Sequence, residues 1–388
     1  MTYSIQTLNN ISDKGLSLLP ASKYTVANEA ANPDAILLRS FKMHDMDIPA
    51  SLKAVGRAGA GVNNIPLDKM SDAGVVVFNA PGANSNAVKE LVISAMLMAC
   101  RNLTRAHDFA RNLEGTDAEI MKQVEAGKKH FGGFELPGRT LGVVGLGAIG
   151  VLVANAAVSL GMRVIGCDPR ISIENAWELN ANVEKAIDVN YLLQESDFVT
   201  FHVPLIDETK DLINANSIQN MKDNAIVLNF ARQGIVNDED VCAALDSGKL
   251  YSYVCDFPSN ILNNHERVIS LPHLGASTNE AEENCAIMVA NEVRDYLENG
   301  TINNSVNMPA IDLARAGESR LAMIHKNIPD MVGQVSRTLG KAGANIICMI
   351  NGSRDDVAVT LMDLEAAINS ETEQEIAAID GMLKLRVL

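Results

Sequence analysis

The chain is poor in aromatic residues, with 1 Trp, 6 Tyr and 9 Phe among 388 positions. Its cores must be built from aliphatic side chains and Met, which suits buried parallel strands better than platforms on which bases stack. Positive charge is also scarce: 32 basic residues against 48 acidic ones leave a net charge of −16. That field repels nucleic-acid phosphates and anionic lipid, so neither nucleic acid nor membrane is expected as a partner. The six cysteines (Cys100, Cys167, Cys242, Cys255, Cys285, Cys348) lie no closer than thirteen residues. Such spacing provides neither a disulfide framework nor a zinc pattern, so no metal is expected and a reducing cytoplasm is. A basic segment followed by an apolar run is missing from MTYSIQTLNNISDKG, and no secretory leader is expected there.

One uncharged stretch, between Arg139 and Arg163, is long enough to cross a bilayer. Gly142, Gly145, Gly147, Gly150 and Gly161, with the polar Asn155 and Ser159, break it into a buried strand, a tight turn and a helix. The remaining composition, 47% apolar and 21% charged, is that of a folded globular chain. At roughly 150 residues per domain the length predicts two or three cores.

Residues 1 to 80 alternate short apolar runs (AILLR, LKAVGRA, VVVFN) with helical segments such as LDKMSDAG, the pattern of a small open α/β sheet. Asn84 and Ser85 are placed to cap a long helix through Cys100, and residues 115–138 read as a surface connection. From Thr140 a second alternation begins and continues to VISLP, as in a doubly wound parallel sheet. Ser277 with Glu280 reads as a capping box for a helix to Asn299, stopped by Gly300. A loose linker near NNSVNMPAIDLARAGE then leads to a βαββαβ order with a turn at Asn351-Gly352.

The motif GLGAIG, residues 145–150, follows an apolar strand and opens a helix, and Asp168 closes the next strand eighteen residues after Gly150. That context is what a dinucleotide fingerprint demands. Gly145 permits the turn, Gly147 lets backbone approach a pyrophosphate, and Gly150 lets the helix pack closely. The helix N-terminus offers free N–H groups to phosphate. A carboxylate at Asp168 accepts from a ribose diol and repels a 2′-phosphate, which favours NAD over NADP.

Ligands of such sheets sit beyond the carboxyl ends of the strands. The residues there are His202-Val203-Pro204, Ala231-Arg232-Gln233-Gly234, Asp256 and Pro272-His273-Leu274-Gly275. An Arg in a tight turn can hold a carboxylate in a bidentate fork, and a His can take a hydroxyl proton as hydride leaves. Those are the two tasks of 2-hydroxy acid oxidation. Arg232 and His273 are the catalytic candidates, and His202 either serves the cofactor or only shapes its loop.

VGRAGAGVNNI (55–65), NAPGANSNAVKEL (79–91), GRTLGVVGLGAIG (138–150), FHVPL (201–205), NFARQGIVN (229–237) and PHLGASTNEAEEN (272–284) together resemble successive blocks of the D-2-hydroxyacid dehydrogenase family, over essentially the whole chain. The resemblance implies a flavodoxin-like substrate lobe (1–93 and 277–305) hinged against a Rossmann cofactor lobe (94–276). It implies that Arg232 binds the substrate carboxylate and that His273 is the acid/base. Asp256 and Gly275 would lie at the nicotinamide, Ala148 and Ile149 at the pyrophosphate, and Val203, Phe230 and Ala231 along the cofactor. The family usually has a Glu a few residues after Asp256 that pairs with the His. Here Asn260 fills that slot, and either this amide orients His273, lowering the pH profile, or Glu266 reaches in from further along.

For a phosphorylated three-carbon acid, Arg57, Arg39 and Lys42 are candidate anchors, and N–H groups of Gly59, Ala60 and Gly82 can line the carboxylate. The last seventy residues (318–388) resemble an ACT module, which implies L-serine binding by His325, Asn327 and Asn345. Asp330 stands where that module commonly has Gly, and a dimerisation role alone is the competing reading. The expected reaction is NAD-dependent oxidation of 3-phospho-D-glycerate to 3-phosphooxypyruvate, the entry to serine, by a homodimer or homotetramer. Oxidation of glycerate, lactate or 2-hydroxyglutarate is the alternative within the family, and a non-catalytic NAD-sensing adaptor the alternative outside it.

Overall fold

In the computed structural model, which describes residues 2–263 and 265–388, the apolar runs of the N-terminal segment form five parallel strands. They are β1 (Tyr3–Leu8), β2 (Tyr24–Ala27), β3 (Ala35–Leu38), β4 (Ala54–Arg57) and β5 (Val76–Asn79), in the order β2-β1-β3-β4-β5. β3 and β5 are buried at every position, as a sheet covered on both faces requires. The helix Asn279–Asn299 covers one face, and its Val293 packs onto Gly56 of β4, where an added Cβ would lie 3.1 Å from Val293.

The central part of the chain forms a seven-stranded parallel sheet. Its strands are β6 (Thr140–Val144), β7 (Arg163–Cys167), β8 (Val183–Lys185), β9 (Phe198–Phe201), β10 (Ala225–Asn229), β11 (Leu250–Cys255) and β12 (Val268–Ser270). The order β12-β11-β10-β9-β6-β7-β8 reverses direction at β6, the topological switch at which doubly wound sheets bind ligands.

The C-terminal residues form an antiparallel sheet of β13 (Ser319–Lys326), β14 (Ile346–Arg354), β15 (Val357–Leu364) and β16 (Met382–Val387), ordered β14-β15-β13-β16. Leu321, Met323, Met362 and Leu364 pack on the helices Met331–Lys341 and Ser370–Ala377. Ala322, Ile324, Val359 and Leu361 point the other way, into the same core as Ile5, Phe78 and Val289. β13, inside the sheet, is thus covered on both faces and is buried from Ser319 to His325, whereas the edge strand β14 exposes Ile347 and Met349.

Contacts divide the chain into two compact units, Met1–Asn84 with Asn279–Leu388, and Ser85–Thr278. Among the described residues no helix is long and apolar enough to cross a membrane, and the uncharged 140–162 stretch is β6, a turn and the helix Ala148–Ser159.

Four local expectations are corrected. Residues 115–138 are not a plain connection: Thr116 and Glu119 form a capping box that starts the helix Asp117–Gly127. That helix buries no residue, so it carries no core-facing stripe by which to be recognised. The turn between β14 and β15 falls at Asp355-Asp356 rather than Asn351-Gly352. Pairing of Asn351 with Thr360 and Gly352 with Val359 keeps both in the strand, and Asp355 takes the left-handed conformation, φ 52°. The long helix begins at Asn279, so Thr278 rather than Ser277 precedes it. Finally, the linker is tied down. The Val77 N–H donates to Asn307 Oδ1, the Val306 N–H donates to the Val77 carbonyl, and Ile302 bridges Ile311, so the linker covers the open edge of β5.

Candidate active site

The residues expected to serve cofactor and chemistry in the unit Ser85–Thr278 all lie at the carboxyl edge of its sheet. Gly145 follows β6 with φ +91°, and a Cβ there would lie 2.6 Å from the His202 carbonyl oxygen. A Cβ on Gly150 would lie 1.9 Å from the Gly145 carbonyl oxygen, so the third glycine lets the helix start against the turn itself. Gly147 is different: a Cβ there meets nothing within 4 Å, and no side chain caps the helix that begins at Ala148. The N–H groups of Ala148, Ile149 and Gly150 are therefore offered across open space, as a pyrophosphate requires.

Asp168, at the end of β7, accepts the Leu146 N–H at 2.8 Å through Oδ2 and the Arg170 N–H at 2.8 Å through Oδ1. It joins the glycine turn to the next loop and lines a cavity of about 450 Å³ with Leu146, Pro169 and Ile171. The size, the uncapped helix and the carboxylate fit a dinucleotide with one nucleoside beside Asp168.

After β9, His202 Nε2 lies 3.1 Å from the Thr200 hydroxyl, and Nδ1 is buried without a partner among the described residues. Burial pushes its imidazole down to about 3, which leaves it neutral. Val203 flanks Gly145, where an added Cβ would lie 2.7 Å from its Cγ1.

After β10, the turn carrying Arg232 is clamped by Asn229, a residue not singled out from the sequence. Asn229 Nδ2 donates to the Arg232 carbonyl at 2.9 Å, and its Oδ1 accepts the Ala231 N–H at 3.2 Å. The Asn preceding a tight turn was the available signal. Phe230 is buried beneath the turn, and the exposed Arg232 guanidinium donates to the Ala231 carbonyl at 2.7 Å.

After β12, His273 takes the left-handed conformation at φ 57°, its ring edge-on to Phe257 at 5.3 Å. Asp256, buried at the end of β11, accepts the N–H of Leu274 through Oδ1 and of Gly275 through Oδ2, both at 2.8 Å. Neither expected partner bonds the imidazole among the described residues. Asn260 is exposed, and Glu266 forms an ion pair with Arg105.

In the other unit, Arg57 ends β4 and folds back over Gly59, where a Cβ would lie 1.9 Å from the guanidinium; its Nε donates to the Arg39 carbonyl at 3.1 Å. Arg39 is engaged with Glu282 at 2.5 Å, while Lys42 is exposed. Gly59 and Gly82 have φ +152° and +80°. His325 is buried, with Nδ1 2.8 Å from the Lys326 carbonyl and Nε2 2.9 Å from the Thr360 hydroxyl. Asn327 and Asn345 are exposed and donate to the Asp355 carbonyl and to Glu365. Among the described residues no group of three or more His, Cys, Asp or Glu is placed to hold a metal ion.

Sheet order, glycine turn and Asp168 define a dinucleotide-binding protein of the doubly wound class. Residues 93–275 match the family model "D-isomer specific 2-hydroxyacid dehydrogenase, NAD binding domain". The D-3-phosphoglycerate dehydrogenase of Haemophilus influenzae is 33% identical over 349 residues, covering 87% of this chain and 81% of the relative. That of Methanocaldococcus jannaschii is 35% identical over 323 residues, covering 81% of this chain. The match spans 59% of that longer relative. The NAD+-bound 3-phosphoglycerate dehydrogenase structure from Entamoeba histolytica superposes with a TM-score of 0.61 at 25% identity, covering 79% of this chain and 99% of that one. The chain belongs to the D-isomer specific 2-hydroxyacid dehydrogenase family, and its cofactor is NAD.

Proposed function

We propose that the protein oxidises 3-phospho-D-glycerate to 3-phosphooxypyruvate, the step that opens serine synthesis. The observation that carries this reading is the placement of Arg232, Asp256 and His273 at the ends of β10, β11 and β12, in a sheet whose β6 turn is shaped for a dinucleotide. The names of the relatives supply the substrate. NAD, when bound, supplies the hydride acceptor. Arg232 pairs its guanidinium with the substrate carboxylate. His273 takes the hydroxyl proton as the C2 hydrogen departs as hydride, so the alcohol becomes a ketone and the proton rests on the imidazole. Neutral His202 adds no positive charge beside the phosphates; its role is to shape the glycine turn. Arg57 and Lys42 serve the phosphate, and Ala60, Gly61 and Gly82 present N–H groups to the carboxylate, the Gly59 N–H being already donated to the Arg57 carbonyl at 2.7 Å. Arg39, already paired with Glu282, contributes through its carbonyl, which holds Arg57.

In this reading residues 1–93 with 277–305 bind substrate, 94–276 bind NAD, and 318–388 form an ACT-like module that pairs subunits in a cytoplasmic homodimer or homotetramer. Its serine candidates are His325, Asn327 and Asn345. Asp330 has φ 67°, the conformation for which Gly is favoured, and its carboxylate is neutralised by Arg337 at 2.5 Å. Velocity that stays flat across millimolar serine removes the regulatory part.

The test of the activity is NADH absorbance with 3-phosphoglycerate, glycerate and lactate, on wild type and His273→Ala. Turnover of 3-phosphoglycerate, lost in the variant, is the expected result. No signal with any acid would leave the NAD-sensing adaptor standing.

A further inference from the structure

A polar relay runs through the core of the first unit to the turn that follows β4. Asn79, at the end of β5, donates through Nδ2 to the Ala60 carbonyl at 2.6 Å. Its orientation is dictated from behind: Asn304 Nδ2 donates to both the Asn79 carbonyl and Asn79 Oδ1, at 3.0 and 3.2 Å. Because Oδ1 must accept, Nδ2 is the atom left to face Ala60. Asn304 Nδ2 is in turn 3.2 Å from Glu292 Oε1, on the long helix. The second oxygen of that carboxyl, Oε2, is buried with no partner among the described residues.

Burial pushes Glu292 up to about 7, with the Asn304 amide acting against the rise and Asp295 adding to it. An acid taken out of water with one oxygen unsatisfied is destabilising, so its presence points to the contact that it does make. That contact is the one to Asn304. Through Asn79 it ends on the backbone between Gly59 and Gly61, a turn also held by the Ala80 N–H, which donates to the Gly59 carbonyl at 3.0 Å. A glycine-rich turn has little conformational preference of its own and needs such external fixing.

We propose that Glu292 and Asn304 are positioning residues for the hydroxy acid: acting through Asn79, they set the Gly59–Gly61 turn, whose Gly59 N–H is held by the Arg57 carbonyl at 2.7 Å, at the geometry in which the N–H groups of Ala60 and Gly61 receive the substrate carboxylate. This rests on the substrate reading of that turn given above. It predicts a split in the kinetic constants, because the relay belongs to the unit Met1–Asn84 with Asn279–Leu388, whereas the dinucleotide turn and His273 belong to Ser85–Thr278.

The experiment is steady-state kinetics on Glu292→Leu, Asn304→Ala and Glu292→Gln, with NADH affinity by fluorescence titration and a thermal melt of each. The acid used is whichever of 3-phosphoglycerate, glycerate and lactate the wild type oxidises. In Glu292→Leu and Asn304→Ala, KM for the acid rises about tenfold while kcat and NADH affinity stay within about twofold. Glu292→Gln keeps an oxygen that can accept from Asn304 and restores KM to within about twofold. If Glu292→Leu does not fold, Asn304→Ala, in a half-buried loop position, carries the test. An active wild type whose folded variants keep its KM overturns the proposal and leaves the function intact, as does a parallel fall of KM-independent properties, kcat and NADH affinity together. A wild type inactive on every acid removes the functional reading and this proposal with it.

Discussion

The Asp256 carboxylate accepts the backbone N–H of Gly275 at 2.8 Å, and with its other oxygen that of Leu274, so the two residues after His273 are fixed by one buried side chain. His273 itself sits at φ 57°, a conformation that costs a non-glycine residue roughly 1–2 kcal/mol. Asp256 offsets that cost and determines where the imidazole lies. Asp256→Asn keeps only one acceptor oxygen and turns an NH2 toward the other N–H. The expected loss is about 1–3 kcal/mol, or roughly tenfold to hundredfold in kcat, with a smaller change in NADH affinity. Steady-state rates and a fluorescence titration separate the two, and a kcat within about twofold of wild type would show that the His turn holds without the carboxylate.

Gly147 and Gly150 are three residues apart in one motif, yet they should respond oppositely to substitution. At Gly147 the backbone is extended and the space above it open, so Gly147→Val should leave stability within about 0.5 kcal/mol of wild type. On the proposed reading the added side chain stands where the pyrophosphate approaches, and NADH affinity should fall roughly tenfold to hundredfold. At Gly150 a Cβ would meet the Gly145 carbonyl at 1.9 Å, so Gly150→Ala should cost about 1–3 kcal/mol of stability before any ligand is added. Denaturant titrations without and with NADH distinguish a ligand defect from a folding defect.

Asp168 links the glycine turn to the loop after β7, and on the proposed reading its charge excludes a 2′-phosphate. Asp168→Ala should weaken NAD binding by roughly tenfold or more, since hydrogen bonds to charged groups contribute about 1.5–3 kcal/mol. The ratio of kcat/KM for NAD over NADP should narrow at the same time, because the repulsive element is removed. An unchanged ratio would assign the selectivity to another residue.

These cofactor positions were legible because the motif is contiguous: strand, glycine turn, helix and acidic residue follow one another within thirty residues. The same holds for the residues after each strand, since sheet topology dictates which end matters. Asn229 was less legible, its Asn-before-turn signal being common. Glu292 and Asn304 were not legible at all, because their function exists only once the linker has folded along β5 and brought Asn304 against the long helix. The β14–β15 turn was misplaced for a related reason. Asn-Gly has a strong local preference for a hairpin turn, but ladder pairing by eight residues of β14 outweighs it and moves the reversal to Asp355-Asp356. The helix Asp117–Gly127 announced itself only through its cap.

Arg320 and Asp363 are the buried ion pair of the C-terminal sheet, with side chains 1% and 0% exposed. Arg320 also donates to the carbonyls of Asn299 and Leu313, and Asp363 accepts the Ala316 N–H at 2.7 Å, so the pair joins β13 and β15 to the end of the long helix and to the linker. Burial raises the Asp363 carboxyl, but its bonds from Arg320 and Ala316 outweigh burial and hold it at about 2. A pKa below that of the unfolded chain, about 3.9, means stability that is full above roughly pH 4 and lost as pH falls toward 2. Removing one partner strands the other charge, so Asp363→Asn should cost about 3–5 kcal/mol at neutral pH. Its penalty relative to wild type should shrink below pH 4, as the wild-type carboxylate is itself protonated. Denaturant midpoints of both proteins from pH 7 to pH 2.5 measure this directly, and a gap that does not narrow with acid would place the cost in packing rather than in charge.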